Sequence, residues 1–349
     1  MISVQLLGKI SFSAAVVTAS LSAAAVQAQE KIVANGETVR IQEYSGAILH
    51  FTQWIAADKG FCEAHGLKCE FVGIPSGPGG LQALMAGSLD ITFASTEVTM
   101  QAAARGSDVQ LIVGHSPNNI YTLNVRKDIE LPHLEEGYPA VVQDLKGLKM
   151  GVTARGSGVE LQTRALLSGA GHSPDDVTYV AVGSPGTAYG AFISKQIDAA
   201  MMFEPFATIC RVQDTCVDLL DFAQGEGPEE IAALNGAFET YAARRSFIEE
   251  NPVVIDAFIQ AMTEATEWVR DPANEAELLE IVKARFTLGS EIPEAEAVLV
   301  ELVRTQAPNY GVTINLNAVK AFSDYLLGAG LIPQAVEPEN FVYSKAPKT

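Results

Sequence analysis

The chain has 349 residues, 42 of them Asp or Glu against 23 Lys or Arg, for a formal net charge of −19 at pH 7. The acid excess is spread along the chain with no basic stripe, which excludes the electrostatic footprint that nucleic acid requires. Beyond the N-terminus no run approaches the roughly 18 apolar residues of a membrane span, and the remaining length of about 320 residues exceeds one simple core and implies two lobes.

Residues 1–28 read as a secretory signal, with Lys9 as the positive region, an apolar small-residue region over Ile10 to Val26, and Val26-Gln27-Ala28 as the cleavage site. No Cys stands beside that site, so no lipid anchor is implied. The expected product is soluble and located in the periplasm. Export permits disulfides. Four cysteines allow three pairings, and the two local bridges Cys62–Cys69 and Cys210–Cys216 are favoured. A metal site fits poorly, because neither pair has metal-ligand spacing and the five histidines are scattered.

In chain order the pattern predicts a strand over Val39 to Tyr44, a helix over Ala47 to Ala64 ended by Gly66, and a strand over Leu67 to Ile74. A loop through Pro75–Gly80 leads to a short helix over Leu81 to Ala86, a strand over Leu89 to Ala94, a helix from Ser95 to Arg105 and a strand over Val109 to Gly114. A crossing strand (Ile120 to Arg126) and an irregular insertion (Glu130 to Val142) follow. Next come strands at Leu148–Val152, Val177–Val182, Ile197–Phe203 and Val217–Leu220, with helices between them, and a returning strand at Ala237–Ala242. Helices are expected over Pro252–Arg270, Asn274–Phe286, Glu294–Gln306 and Leu316–Gly328, with a proline-punctuated tail after Pro333. Alternating strands and helices at this spacing indicate βαβ units and a mostly parallel sheet. Ala83–Ile91 is echoed by Ala191–Ala199, each a helix end, a turn and a strand beginning near Asp, as two similar α/β lobes would give.

The stretch Leu148–Glu160 is a strand, a Gly-Ser-Gly loop and a helix start. Ser157 with Glu160 three residues later has capping-box spacing. The helix start offers unpaired N–H groups at the positive end of a dipole, a ready anion site, and Arg155 would add a fork of donors.

Several segments together resemble the nitrate/sulfonate/taurine class of periplasmic solute-binding proteins of ABC transporters. They are Gly60-Phe61, Gly66-Leu67, Ser76-Gly77, Ala83-Leu84 to Asp90, Asp144 to Val152 with Gly156-Ser157, Asp198-Ala199 to Phe206, and Phe247 to Pro252. The resemblance implies an α/β, two-lobed periplasmic-binding-protein (type II) fold, with mostly parallel sheets and a ligand cleft between lobes. Lobe I would comprise 33–124 and 236–349, and lobe II 125–235. The chain would cross near Asn124–Arg126 and near Gly225–Ala237, and closure would present a surface to a permease in the inner membrane. The ligand-facing loops implied are Tyr44, Ser45 and Gly46; Ser76 and Gly77; Ser95, Thr96 and Glu97; and Ser116 and Asn118. The second lobe would add Arg155, Gly156, Ser157 and Gly158, then Ser184 and Glu204. Glu97 also fits a first-turn acid that complements its helix, Glu204 could pair with a Lys or Arg, Trp54 and Trp268 read as core, and His50, one helical turn before Trp54, is a remote further candidate.

The expected function is capture of a small anionic or zwitterionic solute by a monomer without a cofactor and without chemistry. A sensor-feeding binding protein is an alternative. An enzyme on the same fold, resembling thiamin-pyrimidine synthase, is disfavoured because its cysteine-rich motif is missing, as are the Gly-x-Ser-x-Gly, His-Glu-x-x-His and P-loop motifs.

Overall fold

The alternating run expected at Val39 to Tyr44 becomes β1 (Glu37–Glu43), the axis of the first sheet. In the computed structural model, which describes residues 31–288, 292 and 294–349, the first half continues as α1 (Phe51–Asp58), α2 (Phe61–Ala64), β2 (Leu67–Gly73), α3 (Gly77–Met85), β3 (Ile91–Ser95), α4 (Thr96–Ala104) and β4 (Val109–Ser116). The expected signal at 1–28 lies outside the described residues. β5 (Thr122–Arg126), β6 (Lys149–Val152), α5 (Gly158–Gly169), β7 (Thr178–Ala181), α6 (Pro185–Ile193), β8 (Ala199–Met202), α7 (Phe206–Val212), β9 (Cys216–Asp221) and α8 (Glu229–Ala232) make the next block. β10 (Glu239–Arg244), α9 (Arg245–Glu250), α10 (Pro252–Arg270), α11 (Glu275–Arg285), α12 (Ala295–Gln306), α13 (Leu316–Gly328) and α14 (Pro338–Phe341) complete the chain.

The strands form two five-stranded sheets, β2-β1-β3-β10-β4 and β7-β6-β8-β5-β9. β1 runs parallel to β2 and β3, and β6 runs parallel to β7 and β8. Each sheet also takes one antiparallel strand, β10 in the first and β5 in the second, so both are mixed. The returning strand expected at Ala237–Ala242 is β10, and it inserts between β3 and β4.

β5 pairs along its whole length with β8 and β9, so the passage from the first sheet to the second falls at 117–121 rather than at Asn124–Arg126. Pro117 and the Asn118-Asn119 turn break strand pairing there, whereas Leu123 and Val125 are fully buried in the second sheet. The return passage is fastened to the outgoing one. Gly236 N–H donates to the Pro117 carbonyl at 2.5 Å and Asn119 N–H to Asn235 Oδ1 at 2.8 Å.

Two helix starts differ from expectation. The helix predicted over Ala47–Ala64 is two helices, because Gly60 sits at φ +76°, a left-handed conformation that ends α1. α3 begins inside the Pro-Gly-Gly stretch rather than after it. Ser76 caps it by accepting from Gly79 N–H, and Pro78 sits in the first turn, where its missing donor costs nothing.

α10 and α13 match their predicted limits. α10 begins at Pro252 and buries Val254, Ile255, Phe258, Ile259, Met262, Ala265 and Val269, an i, i+4, i+7 stripe facing the first sheet. Both cysteine pairs are bridged as expected, Cys62–Cys69 tying α2 to β2 and Cys210–Cys216 tying α7 to β9. The tail packs as an arm: Tyr343 N–H donates to Leu111 O, its hydroxyl donates to Asp256 at 2.9 Å, and Lys345 joins the same carboxylate. No helix among the described residues is long and apolar enough to cross a membrane.

Candidate functional site

The residues that follow β1 and end β3, Tyr44 and Ser95, meet the start of α5 and Phe203 after β8, so side chains from both sheets converge there. This is the crevice beyond the carboxyl ends of strands in which open α/β sheets place ligands. Ser157 caps α5 by accepting from Glu160 N–H, as the spacing predicts, and Gly158 is the first helical residue. A Cβ placed on Gly158 would lie 2.5 Å from Ser95 Oγ, 2.7 Å from Glu97 Oε1 and 2.7 Å from the Tyr121 hydroxyl. The second sheet's helix therefore presses its bare backbone onto polar groups of the first sheet and of the connecting segment. Gly158→Ala is expected to force those three groups apart and to lower stability by about 1–3 kcal/mol, the cost of overpacking, as read by urea denaturation of the ligand-free protein.

Aromatic rings wall this point. Tyr44 is buried, 5.1 Å between centroids from Phe93 and 5.9 Å from Phe203, which follows β8 in the second sheet. Tyr121 lies 6.3 Å from Phe203 and 5.1 Å from Phe238. The Tyr44 hydroxyl reaches Gly77, where a Cβ would stand 3.2 Å away. Behind Tyr44, His50 Nε2 accepts the Tyr44 N–H at 2.8 Å and His115 donates to the Leu49 carbonyl. Burial, with the neighbouring His115 as the second cause, pulls the His50 pKa down to about 3; burial does the same to His115. Both are neutral core groups.

The electrostatics are acidic. Glu97 is fully buried, and burial raises its pKa to about 8 against a weaker lowering by Gln162. Its Oε1 accepts from Gln162 Nε2 at 3.5 Å, while Oε2 has no partner. Gln162 in turn accepts from Asn119 of the connecting segment at 2.7 Å. Glu239, at the start of β10 and in register with Ser95, is buried, has an unpartnered Oε2, and is raised by burial and then by the field of Glu97. Ser95 Oγ is likewise buried, with the Tyr121 hydroxyl beside it.

The expected residues therefore divide. Tyr44, Gly77, Ser95, Glu97 and Gly158 come together. Thr96 is spent on the fold, donating to Ala237 O. Ser76 caps α3, and Ser45 is exposed with its hydroxyl against Gly73. Gly46 faces Ser184 Oγ, 3.0 Å from its would-be Cβ, beside a cavity of about 70 Å³. Ser116 Oγ donates to Asn118 O, and both residues line a separate polar cavity of about 360 Å³ with Glu204 and Arg211. Glu204 accepts from Thr208 N–H and from Arg211, the pairing that the sequence left open.

Arg155 is engaged by groups of the chain itself in this arrangement. Its side chain is 58% exposed, pairs with Glu160 at 3.0 Å and stacks over Tyr179. Glu160 Oε2 also accepts Gly156 N–H at 2.8 Å, so α5 carries its own carboxylate where an external anion would sit, and Glu97 Oε1 lies beside Gly158. The positive helix end is thus met by acids of the chain itself.

Tyr121, Phe203, Glu239 and Gln162 were not singled out from the sequence. Phe203 and Glu239 stand at strand ends where switch points fall, a signal that was present. Tyr121 and Gln162 carry none, since they reach the site through the connecting segment and the α5 register.

Comparison with known proteins follows the same lines. The model of the NMT1-like family matches residues 46–283. A Brucella abortus protein named as a binding protein is 31% identical over 216 residues, covering 61% of this chain and 61% of the relative. The match thus spans less than two thirds of that relative's length. Among solved structures, one from Bordetella bronchiseptica RB50 superposes with a TM-score of 0.74 at 24% identity, covering 88% of this chain and 95% of that one. The alkanesulfonate-binding protein SsuA from Xanthomonas axonopodis pv. citri, bound to MOPS, superposes with a TM-score of 0.68 at 19% identity over 91% of this chain and all of its own. The fold is that of periplasmic binding proteins.

Proposed function

Because the chain belongs to the NMT1-like family, we propose that it is the soluble periplasmic substrate-binding component of an ABC importer, which holds a small organic solute between two lobes and hands it to a membrane permease. One lobe is the sheet β2-β1-β3-β10-β4 with the C-terminal helices, and the other is the sheet β7-β6-β8-β5-β9. The fastened segments 117–121 and 235–238 serve as the hinge. The observation that carries this reading is the convergence at Gly158, where Ser95 and Glu97 of one sheet, Tyr121 of the hinge and the α5 terminus of the other sheet meet. A ligand that touches both lobes binds the closed form better than the open one and shifts the population toward it. The function needs no bond to be made or broken.

The test uses small-angle scattering and mass spectrometry on protein stripped of ligand by unfolding and refolding. A bound solute is expected to reduce the radius of gyration and to be recovered unchanged. Recovery of a converted product would replace the binding protein with an enzyme.

A further inference from the structure

We infer that the ligand is an organic cation whose charge is carried by N–H donors, an ammonium or amidinium group, received by Glu97, Glu239 and Ser95 between the aromatic rings of Tyr44, Tyr121 and Phe203. The inference rests on the binding-protein reading and specifies its substrate class.

Two carboxyl oxygens are buried at one place without a partner, Glu97 Oε2 and Glu239 Oε2, and the buried Ser95 Oγ beside them has the Tyr121 hydroxyl as its neighbour. A buried polar atom without a partner is rare and costly. Two neighbouring carboxyls, Glu97 in the first turn of α4 and Glu239 at the start of β10, would as carboxylates deprived of water be costlier still unless a cation joined them. No cation among the described residues does so. The groups facing Glu97 are Gln162 on α5, Glu239 on β10, Tyr121 of the hinge and Tyr325 on α13, and those facing Glu239 add Tyr44 and Tyr241. All are acidic or neutral.

The one feature that would suit an anion, the α5 terminus, is already taken by Glu160 and Glu97, and its arginine is committed outside. What the crevice lacks is a donor with positive charge. Unpartnered oxygens ask for N–H groups rather than for a quaternary ammonium, and the rings of Tyr44, Tyr121 and Phe203 pack beside them. A sulfonate or nitrate would instead be repelled by these two carboxyls in their ionised form.

Binding must then be coupled to protons. In the empty site burial holds Glu97 protonated up to about pH 8, and a cation restores the carboxylate, so complex formation below that pH releases a proton.

The experiment is calorimetry on the ligand-stripped full chain. The probes are benzamidine, hexylamine, hexyltrimethylammonium, hexanesulfonate and nitrate, in buffers of different ionisation enthalpy near pH 6.5 and pH 8.5. Benzamidine is the decisive probe because an amidinium keeps its charge across that range. The expected result is that benzamidine or hexylamine binds, the trimethylated amine binds more weakly, and the anions do not bind. Affinity should rise toward pH 8.5, with a buffer-dependent enthalpy at pH 6.5. Glu97→Gln should weaken the amidinium by roughly 10- to 100-fold, as loss of a charge-assisted bond does, and Ser95→Ala should weaken it by a smaller factor.

Binding of hexanesulfonate or nitrate in place of the amines would overturn the cation and leave the binding protein standing. Amine binding unchanged in Glu97→Gln would do the same. Binding of no probe, together with no small molecule recovered from the protein as first purified, would overturn both.

Discussion

Glu97→Gln is expected to make the ligand-free protein more stable near pH 8, by roughly 2–4 kcal/mol, and to leave it close to wild type near pH 5. The sign follows from burial. The folded pKa of Glu97 is raised from 4.5 to about 8, so between those values the folded state holds a proton that the unfolded chain has released. Stability therefore falls as pH rises through this window, by about 1.4 kcal/mol per pH unit for one such group. Glu239 adds a shift in the same direction. Glutamine has no proton to lose and removes the share of Glu97.

His50 and His115 act with the opposite sign. Their folded pKa is depressed from 6.5 to about 3. Their contribution is complete above pH 6.5 and is lost as pH falls toward 3. Between about 4.5 and 6.5 the two imidazoles oppose the carboxyls, and the alkaline decline of the wild-type profile should become steepest above about 6.5, where the imidazoles no longer offset Glu97. Denaturant titrations of ligand-free protein across this range check both points. Parallel wild-type and Glu97→Gln profiles would mean that the Glu97 carboxyl is not buried. A variant that gains stability while losing affinity for a cation would mark Glu97 as a group kept for binding at the expense of the fold.

That opposition also explains what could be read from the sequence. Periodicity and punctuation are local, and they were enough for α10 and α13, for both cysteine bridges and for Ser157 as the cap of α5. They were ambiguous where glycine and proline have two uses. Gly60 and Gly66 both suit a helix stop, and the chain uses Gly60 to divide one amphipathic run into α1 and α2. Pro78 read as a breaker, yet it sits in the first turn of α3.

The site was less legible because its chemistry depends on which residues meet. Arg155 beside Gly-Ser-Gly reads as an anion clamp until α5 forms. Glu160 then takes the guanidinium one turn along the helix, and Tyr179 receives its face from β7. Glu239 reads as an ordinary strand-end acid until the antiparallel insertion of β10 sets it against Ser95 and turns one buried acid into two. Neither pairing is written within one segment, and together they shift the site from anion-seeking to cation-seeking.

Gln42→Leu is expected to cost roughly 3–5 kcal/mol, because it strands four buried partners at once. Gln42 is fully buried at the end of β1. Its Nε2 donates to the carbonyls of Ile74 and Ser76 at 3.1 and 2.9 Å, and its Oε1 accepts from Thr92 Oγ1 at 2.6 Å and from Phe93 N–H at 3.1 Å. One amide thus ties β3 to the loop that delivers Ser76 and Gly77 to Tyr44. Leucine has similar bulk and cannot make these bonds. Thr92→Val removes one of the four and should cost about 1 kcal/mol. Gly80 shows how closely the amide is held, since a Cβ there would stand 1.8 Å from Gln42 Oε1. Gly80→Ala must therefore displace Gln42 and should approach the loss seen in Gln42→Leu. Urea denaturation of the three variants separates the accounts. If Gln42→Leu and Thr92→Val cost the same, the amide is not the tie. If Gln42→Leu is far the larger, the placement of Gly77 against Tyr44, and with it one wall of the crevice, depends on a polar group in the sheet interior rather than on the loop itself.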